Sequence, residues 1–302
     1  MSATEGSHGP PESAAAARVE AILRPIHDGP YSYLRRAGIA AWYPLRGIWY
    51  FFSRRELHPL LTSRLLPLSL VSALVYLILF TFTFLPQFAI LAILGGGWNA
   101  WVSAVVLVLG EGLVIIQALF EGFFVDEARV DVFDATLINC GLQDRLVAPH
   151  RICYPDAPNA VKALGKPTSS AVYTPWSLKQ MVELVVFLPL NLIPVVGTPA
   201  FILITGSRLG KLSHYRWFKL RGLDKKQTKA EIKKRAWEYL WFGTVAMILE
   251  LIPVLSLVFL FTTTSGAALF AARLEEEIER SQHSSEEDLE SNTPPSQSTT
   301  GS

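Results

Sequence analysis

The chain is poor in charged residues, and those it has are unevenly placed. Only 18% of its 302 residues are Asp, Glu, Lys or Arg, while 50% are hydrophobic; soluble domains average about 25% charged residues. No charged residue occurs among the 46 residues from 65 to 110. Because a transmembrane helix needs about 20 apolar residues, this run predicts two spans and excludes an ordinary water-soluble protein.

Cysteine is scarce and enzyme motifs are missing. Cys140 and Cys153 offer neither a disulfide framework nor the spacing of a zinc site, so we expect free thiols. The histidines are scattered, and no glycine-rich loop follows a predicted strand. His150 and Asp156 miss the spacing of an acyltransferase-like His-x4-Asp motif. We therefore predict a non-enzymatic protein with no catalytic residue, no metal and no cofactor.

The two ends of the chain lack apolar periodicity. Residues 1–17 have no basic region leading into an apolar core, so they are not a signal peptide, and residues 1–30 are predicted to be disordered. Residues 31–52 are aromatic and basic, and Pro44 and Gly47 are expected to interrupt them. Because Trp and Tyr favour the headgroup layer, we predict an interfacial segment lying on the bilayer. The acidic, Ser-rich residues 277–302 are predicted to be a disordered tail.

The apolar regions between these ends predict an all-α integral membrane domain over residues 31–276. Two long transmembrane helices are expected near residues 65–85 and 98–124. Residues 86–97 are expected to form an apolar turn after a kink at Pro86. Two re-entrant or bent helical hairpins are expected near residues 184–207 and 239–272, because Pro and polar residues break both regions. In the second, the breaks are at Glu250-Pro253 and at Ser265-Gly266.

Proline and charge together favour the hairpin near residues 184–207. Three prolines spaced five residues apart do not suit one straight span. Residues 208–235 carry eleven Lys and Arg, which the positive-inside bias keeps in the cytosol. We therefore predict that the segment enters and leaves on one face, with Pro194, Gly197 and Pro199 at its turn, and that both chain termini are cytosolic.

Three polar residues inside the apolar regions are candidate intramembrane sites: Glu111, Asn191 and Glu250. An ionisable group at membrane depth is costly and is a functional candidate by default. The carboxylates could form a proton or cation relay, or a gate. Alternatively, Glu111 faces a neighbouring helix and Glu250 caps a half-helix, and we favour this structural interpretation.

The turn from Asn191 to Thr198 also has two interpretations. A half-helix that starts inside the membrane directs free N–H groups and the positive end of its dipole towards an anion, such as sulfate or a phospholipid headgroup. Alternatively, proline and glycine only permit the tight turn while Asn191 satisfies freed backbone groups. We favour the second interpretation.

A basic run follows the predicted hairpin and is compatible with a helix. It is either a solvated helix face or a surface that contacts anionic headgroups of membrane lipids. We do not expect nucleic-acid binding, and the sequence leaves open whether the chain forms a homo-oligomer. The lysines of this run are Lys225, Lys226, Lys229, Lys233 and Lys234.

Several segments resemble the CysZ and etoposide-induced-protein superfamily. Residues 188–199 (LPLNLIPVVGTP) and 214–222 (HYRWFKLRG) are similar to that superfamily as a whole. Residues 242–253 (FGTVAMILELIP) and 265–275 (SGAALFAARLE) resemble more narrowly its fungal branch, the outer-spore-wall and lipid-droplet proteins. The resemblance covers about residues 49–276.

The resemblance carries its own expectations about architecture and function. The superfamily implies long transmembrane helices and hemi-penetrating helical hairpins. The fungal branch implies residence in the endoplasmic reticulum and on lipid droplets, with a part in spore-wall assembly during sporulation. The bacterial branch implies sulfate permeation, so a CysZ-like anion transporter is the alternative. No catalytic residue is implied.

Overall fold

The structure, a computed structural model, describes residues 30–95, 97–122, 125–167, 197–252 and 255–291. These residues are mostly helical. The α-helices are α1 Pro30–Ser53, α2 His58–Phe82, α3 Phe84–Gly95, α4 Gly97–Gly122, α5 Val125–Asn139, α6 Ala160–Ala163, α7 Gly197–Ser213, α8 Tyr215–Leu220, α9 Lys225–Lys234, α10 Ala236–Glu250 and α11 Ser256–Ser291.

Shorter elements lie between these helices. A 3₁₀ turn, Arg55–Leu57, joins α1 to α2. A π-helical turn, Gln143–Val147, and a 3₁₀ turn, Ala148–His150, follow α5. Two short strands, β1 Arg151–Cys153 and β2 Leu164–Pro167, then pair antiparallel, which adds a small sheet to the predicted all-α fold.

Two helices in the described ranges are long and apolar enough to cross a membrane. They are Trp98–Ile116 within α4 and Ser256–Ser284 within α11. A further candidate is the pair Ser69–Phe82 and Phe84–Ile93, which is bent by 47°. The chain is therefore a mostly helical membrane protein, which confirms the predicted class.

The bend between α2 and α3 has a local cause. Pro86 has no N–H to donate to the carbonyl of Phe82, so the helical ladder is interrupted one turn before the proline. The hydroxyl of Thr83 donates to the carbonyl of Leu79 at 2.6 Å, a contact that also bends helices. The predicted kink at Pro86 is thus present, with its break at Thr83.

Three segments are more regular than predicted. Pro44 and Gly47 do not interrupt α1, because α1 packs along α10 and α11 over its length and this packing outweighs one missing hydrogen bond. Residues 86–95, predicted to be a turn, belong to α3. Helix α11 passes through Ser265-Gly266 without a break and continues past residue 277, where a disordered tail was predicted.

Glycines set the distance between the principal helices. Gly206 and Gly210 on α7 face Gly243 on α10, so the two backbones are in direct contact. Gly47 on α1 and Gly266 on α11 form a second close crossing. Small residues four positions apart allow this approach between membrane helices.

This close packing predicts that one added methyl group pushes α7 and α10 apart and lowers the stability of the protein. Gly243→Ala places a methyl group on the carbonyl of Gly206, and overpacking of this kind costs about 1–3 kcal/mol. Gly38→Ala on α1 is the matched control, because no atom lies within 4 Å of the new methyl group. We expect a lower unfolding temperature in detergent for Gly243→Ala and an unchanged or higher one for Gly38→Ala. Equal unfolding temperatures would contradict the close crossing.

Candidate functional site

The charged layer is a group of ion pairs around the polar half of α11. Three acidic residues on this helix, spaced two apart, each bind an arginine from a different segment. The arginines come from the turn after α5, the end of α8 and the junction of α9 with α10. The pairs are Glu275 with Arg221, Glu277 with Arg235, and Glu279 with Arg145.

Arg235 is the most connected member of this layer. Its Nε lies 2.7 Å from Glu231, and its Nη1 lies 3.2 Å from Glu238 and 3.3 Å from Glu277. Glu238 also pairs with Arg36 near the start of α1. Burial raises the pKa of Glu231, and the adjacent Arg235 opposes that shift. The starts of α1 and α10 and the polar half of α11 therefore meet at one point.

Asp134 on α5 is fully buried and binds two arginines. Arg216 on α8 donates from Nε and Nη2 at 2.9 and 2.7 Å, a bidentate contact. Arg151 on β1 donates from Nη1 at 3.2 Å and also reaches Asp131 and the carbonyl of Gly165. These contacts fix the small sheet and α8 to α5, which is a structural role.

The loss of the Asp134 carboxylate should therefore destabilise the fold. Asp134→Ala leaves Arg216 without its buried partner, and breaking a buried ion pair costs about 3–5 kcal/mol. Glu276→Ala is the control, since the Glu276–Arg280 pair is exposed and such pairs contribute at most about 1 kcal/mol. Thermal unfolding in detergent checks both variants. A stability loss that is no larger for Asp134→Ala would show that this pair is dispensable.

Glu250 is the last residue of α10 and is buried. Its Oε1 accepts a hydrogen bond from the Thr263 hydroxyl at 3.2 Å, and its Oε2 has no hydrogen-bond partner among the described residues. Arg129 on α5 interacts with it electrostatically and donates to Thr264 at 3.4 Å. Glu250 therefore contacts the middle of α11, and at the C-terminus of α10 the helix dipole does not favour its carboxylate; the predicted capping of a half-helix stays a prediction.

Glu111 on α4 faces a neighbouring helix, as the structural interpretation requires. Its Oε1 accepts a hydrogen bond of 2.6 Å from Nε2 of Gln87 on α3. This contact joins α3 to α4, the two arms next to the tip of the hairpin that α2, α3 and α4 form (the α2–α4 hairpin). Glu111 and Glu250 thus have different partners on different helices.

The predicted hairpin turn is described only in part. Asn191 and Pro194 lie outside the described residues, as does the predicted helix pair before residue 197. Gly197 and Pro199 are in the first turn of α7, where proline is tolerated. The Thr198 hydroxyl lies 3.3 Å from that of Ser103 on α4.

The basic run forms α9, and its lysines differ in their exposure to solvent. Lys225, Lys226, Lys229 and Lys233 are exposed. Lys234 is half-buried beside Glu231, and burial lowers its pKa. The solvated face therefore holds four of the five predicted lysines.

A surface pocket of about 410 Å³ lies beside β1. Arg151 in its wall is committed to Asp134 and Asp131. Burial raises the pKa of the Cys153 thiol, which disfavours the reactive thiolate. Both cysteines are free. No cluster of His, Cys, Asp and Glu in the described part of the chain could hold a metal ion.

Comparison with known proteins adds no relative: no protein-family model matches the chain, and no curated protein or solved structure shows significant similarity.

The charged layer and the buried Asp134 site are the features that sequence reasoning missed. The sequence does contain a signal for Asp134, since it lies among the apolar residues Val132, Phe133 and Ala135. Its partners are 17 and 82 residues away in sequence. Helical spacing cannot identify contacts of that separation.

Proposed function

We propose that this chain is a non-enzymatic multi-pass protein of the endoplasmic reticulum membrane that reaches lipid droplets and organises lipid there. The resemblance to outer-spore-wall and lipid-droplet proteins connects this role with spore-wall assembly. The charged layer is the observation that carries the proposal, because its ion pairs join six segments of the chain. Such groups support a rigid scaffold rather than catalysis.

The charged layer also supports a one-sided topology. Arg235 precedes the apolar residues of α10, and Glu277 follows those of α11, yet the two side chains are 3.3 Å apart. This contact supports the proposal that the region near residues 239–272 enters and leaves the bilayer on one face, as a bent hairpin. The pair of Arg36 with Glu238 supports the same face for the start of α1, and the positive-inside bias favours the cytosol for that face.

The α2–α4 hairpin supports residence in a bilayer. Its outer surface exposes large apolar side chains, and Trp98 and Trp101 stack at 5.3 Å near its tip. Trp98 lies about 20 Å along α4 from Glu111, and Trp favours a membrane–water interface. A lipid monolayer offers no second interface at that depth, so we propose the bilayer as the initial site and droplets that stay joined to it as the place where the chain gathers. The exposed apolar residues of the hairpin are Leu70, Leu74, Leu77, Ile78, Phe82, Leu85, Ile90, Ile93 and Ile115.

The alternative function is a CysZ-like transporter of sulfate or a related anion. The start of α7 supports it, because the hydroxyls of Thr198 and Ser103 lie beside a helix N-terminus between apolar helices. The acidic side chains of Glu111 and Glu250 oppose it, since a carboxylate repels an anion. Sulfate uptake by vesicles with the purified chain reconstituted in their membrane distinguishes the two functions. A sulfate flux above that of protein-free vesicles would support the transporter and contradict the scaffold.

The scaffold proposal predicts a defined topology and location. Tags at both termini, in residues 143–167 and in residues 211–235 should react with a membrane-impermeant reagent from the cytosol, whereas a tag at residue 96 should be protected. The protein should be in the endoplasmic reticulum before fatty-acid loading and should gather at lipid droplets after it.

One control and two contradicting outcomes complete this experiment. Permeabilisation of all membranes should expose the tag at residue 96, which confirms that protection comes from the bilayer. A protected tag in residues 211–235 would contradict the one-sided topology. Exclusive residence at the plasma membrane would contradict the droplet role.

A further inference from the structure

We propose that the exposed face of α9, together with the first turns of α10, is a binding surface for anionic phospholipid headgroups. We name this the lysine–tryptophan surface; it comprises Lys225, Lys226, Lys229, Lys233, Trp237 and Trp241. It rests on the proposed membrane residence and names the lipid class that this face selects.

Burial separates the charges of α9 by sign. The four lysines point to solvent, whereas Glu231, the acidic residue within the helix, is fully buried against Arg235 at 2.7 Å. Asp224 is exposed, but its side chain caps the helix by accepting the Lys225 N–H at 2.7 Å. The outward face of α9 is therefore positive, although the sequence interleaves acids with the bases.

Exposed tryptophans follow the lysines at intervals of four residues. Trp237 is 58% exposed and Trp241 is 39% exposed, and the same face of α10 continues with Ile248, which is 50% exposed. The order from lysine through tryptophan to isoleucine corresponds to headgroup layer, interface and hydrocarbon. From Trp237 to Ile248 the helix rises about 16 Å, so the lysines are at headgroup level when Ile248 is in the acyl region.

The surface is held in a fixed shape before any lipid binds. Asp224 and Gln227 form a capping box at the start of α9. At the other end, Arg235 contacts Glu231 on α9 and Glu238 on α10, which fixes the angle between the two helices. Preorganisation of this kind lowers the entropy cost of binding.

The apolar continuation favours lipid over a soluble polyanion. Ile248 and Ile252 are exposed and lie in the region that we propose to be in the bilayer, so the lysines are held at the level of the headgroups, where anionic lipid surrounds them and a soluble polyanion must compete with it. Each basic residue near an anionic leaflet contributes about a fivefold preference. The contributions of four neighbouring lysines overlap, so they do not multiply in full. We therefore expect a total enrichment of anionic lipid of about tenfold or more.

The test compares lipid retention by the full chain in nanodiscs of phosphatidylcholine with and without phosphatidylserine. Native mass spectrometry counts the phosphatidylserine that stays bound. The quadruple variant K225Q/K226Q/K229Q/K233Q should lose about tenfold or more of the enrichment while keeping its unfolding temperature, because the four side chains are exposed. The control K162Q/K219Q neutralises exposed lysines outside this surface and should retain the wild-type enrichment.

Each remaining outcome overturns the proposal in a recognisable way. Equal lipid retention by wild type and quadruple variant excludes these lysines as the site. A similar loss of phosphatidylserine enrichment in the quadruple variant and in the control would show that general surface charge causes the enrichment, and not these four lysines. Wild-type protein that binds polyuridylate or polyglutamate in phosphatidylcholine discs, without phosphatidylserine enrichment, assigns the surface to a soluble polyanion. Failure of the wild type to insert into either disc would instead defeat the proposed membrane function itself.

Discussion

The ion pairs of Arg235 are the contacts on which the arrangement of this protein depends. This one buried guanidinium binds Glu231, Glu238 and Glu277, which belong to three different helices. A buried arginine without partners would carry a large desolvation cost, so these helices must meet wherever Arg235 is placed. The Arg36–Glu238 pair extends the same constraint to α1. Helix order at this face of the molecule follows from the need to neutralise charge.

Glycine contacts hold the helices close together in the apolar part of the protein, away from the ion pairs. Water is excluded from membrane helices on every side, so burial of apolar surface does little to drive them together, and close packing must supply the attraction. The Gly206–Gly243 and Gly47–Gly266 contacts bring backbone against backbone within the apolar part of the bundle. The charged layer thus fixes which helix ends are neighbours, and the glycines fix how closely the helices approach. Neither device requires a catalytic or metal-binding group.

The distribution of paired and exposed polar groups is relevant to the proposed function. The charged layer holds its carboxylates and guanidinium groups against each other, whereas the lysines and tryptophans of the lysine–tryptophan surface are exposed. Within the apolar part, Glu111 is bound to Gln87, while Glu250 keeps one oxygen without a hydrogen-bond partner in the described residues. A scaffold whose outer face selects lipids agrees with this distribution. A transporter would instead need a continuous polar path through the bundle, lined by groups free to bind the anion.

The membrane class of this protein and the approximate positions of its two long apolar helices follow from the sequence alone. A charge-free run long enough to cross a membrane must be helical there, because no water satisfies its backbone groups, and the missing N–H of Pro86 accounts for the bend locally. Tertiary structure alone decided that Pro44 and Ser265-Gly266 leave their helices unbroken. It also brought Thr263 to Glu250 and paired Asp134 with Arg216 across 82 residues. Helical periodicity and proline act over a few residues, whereas burial and charge neutralisation act between side chains that only folding brings together.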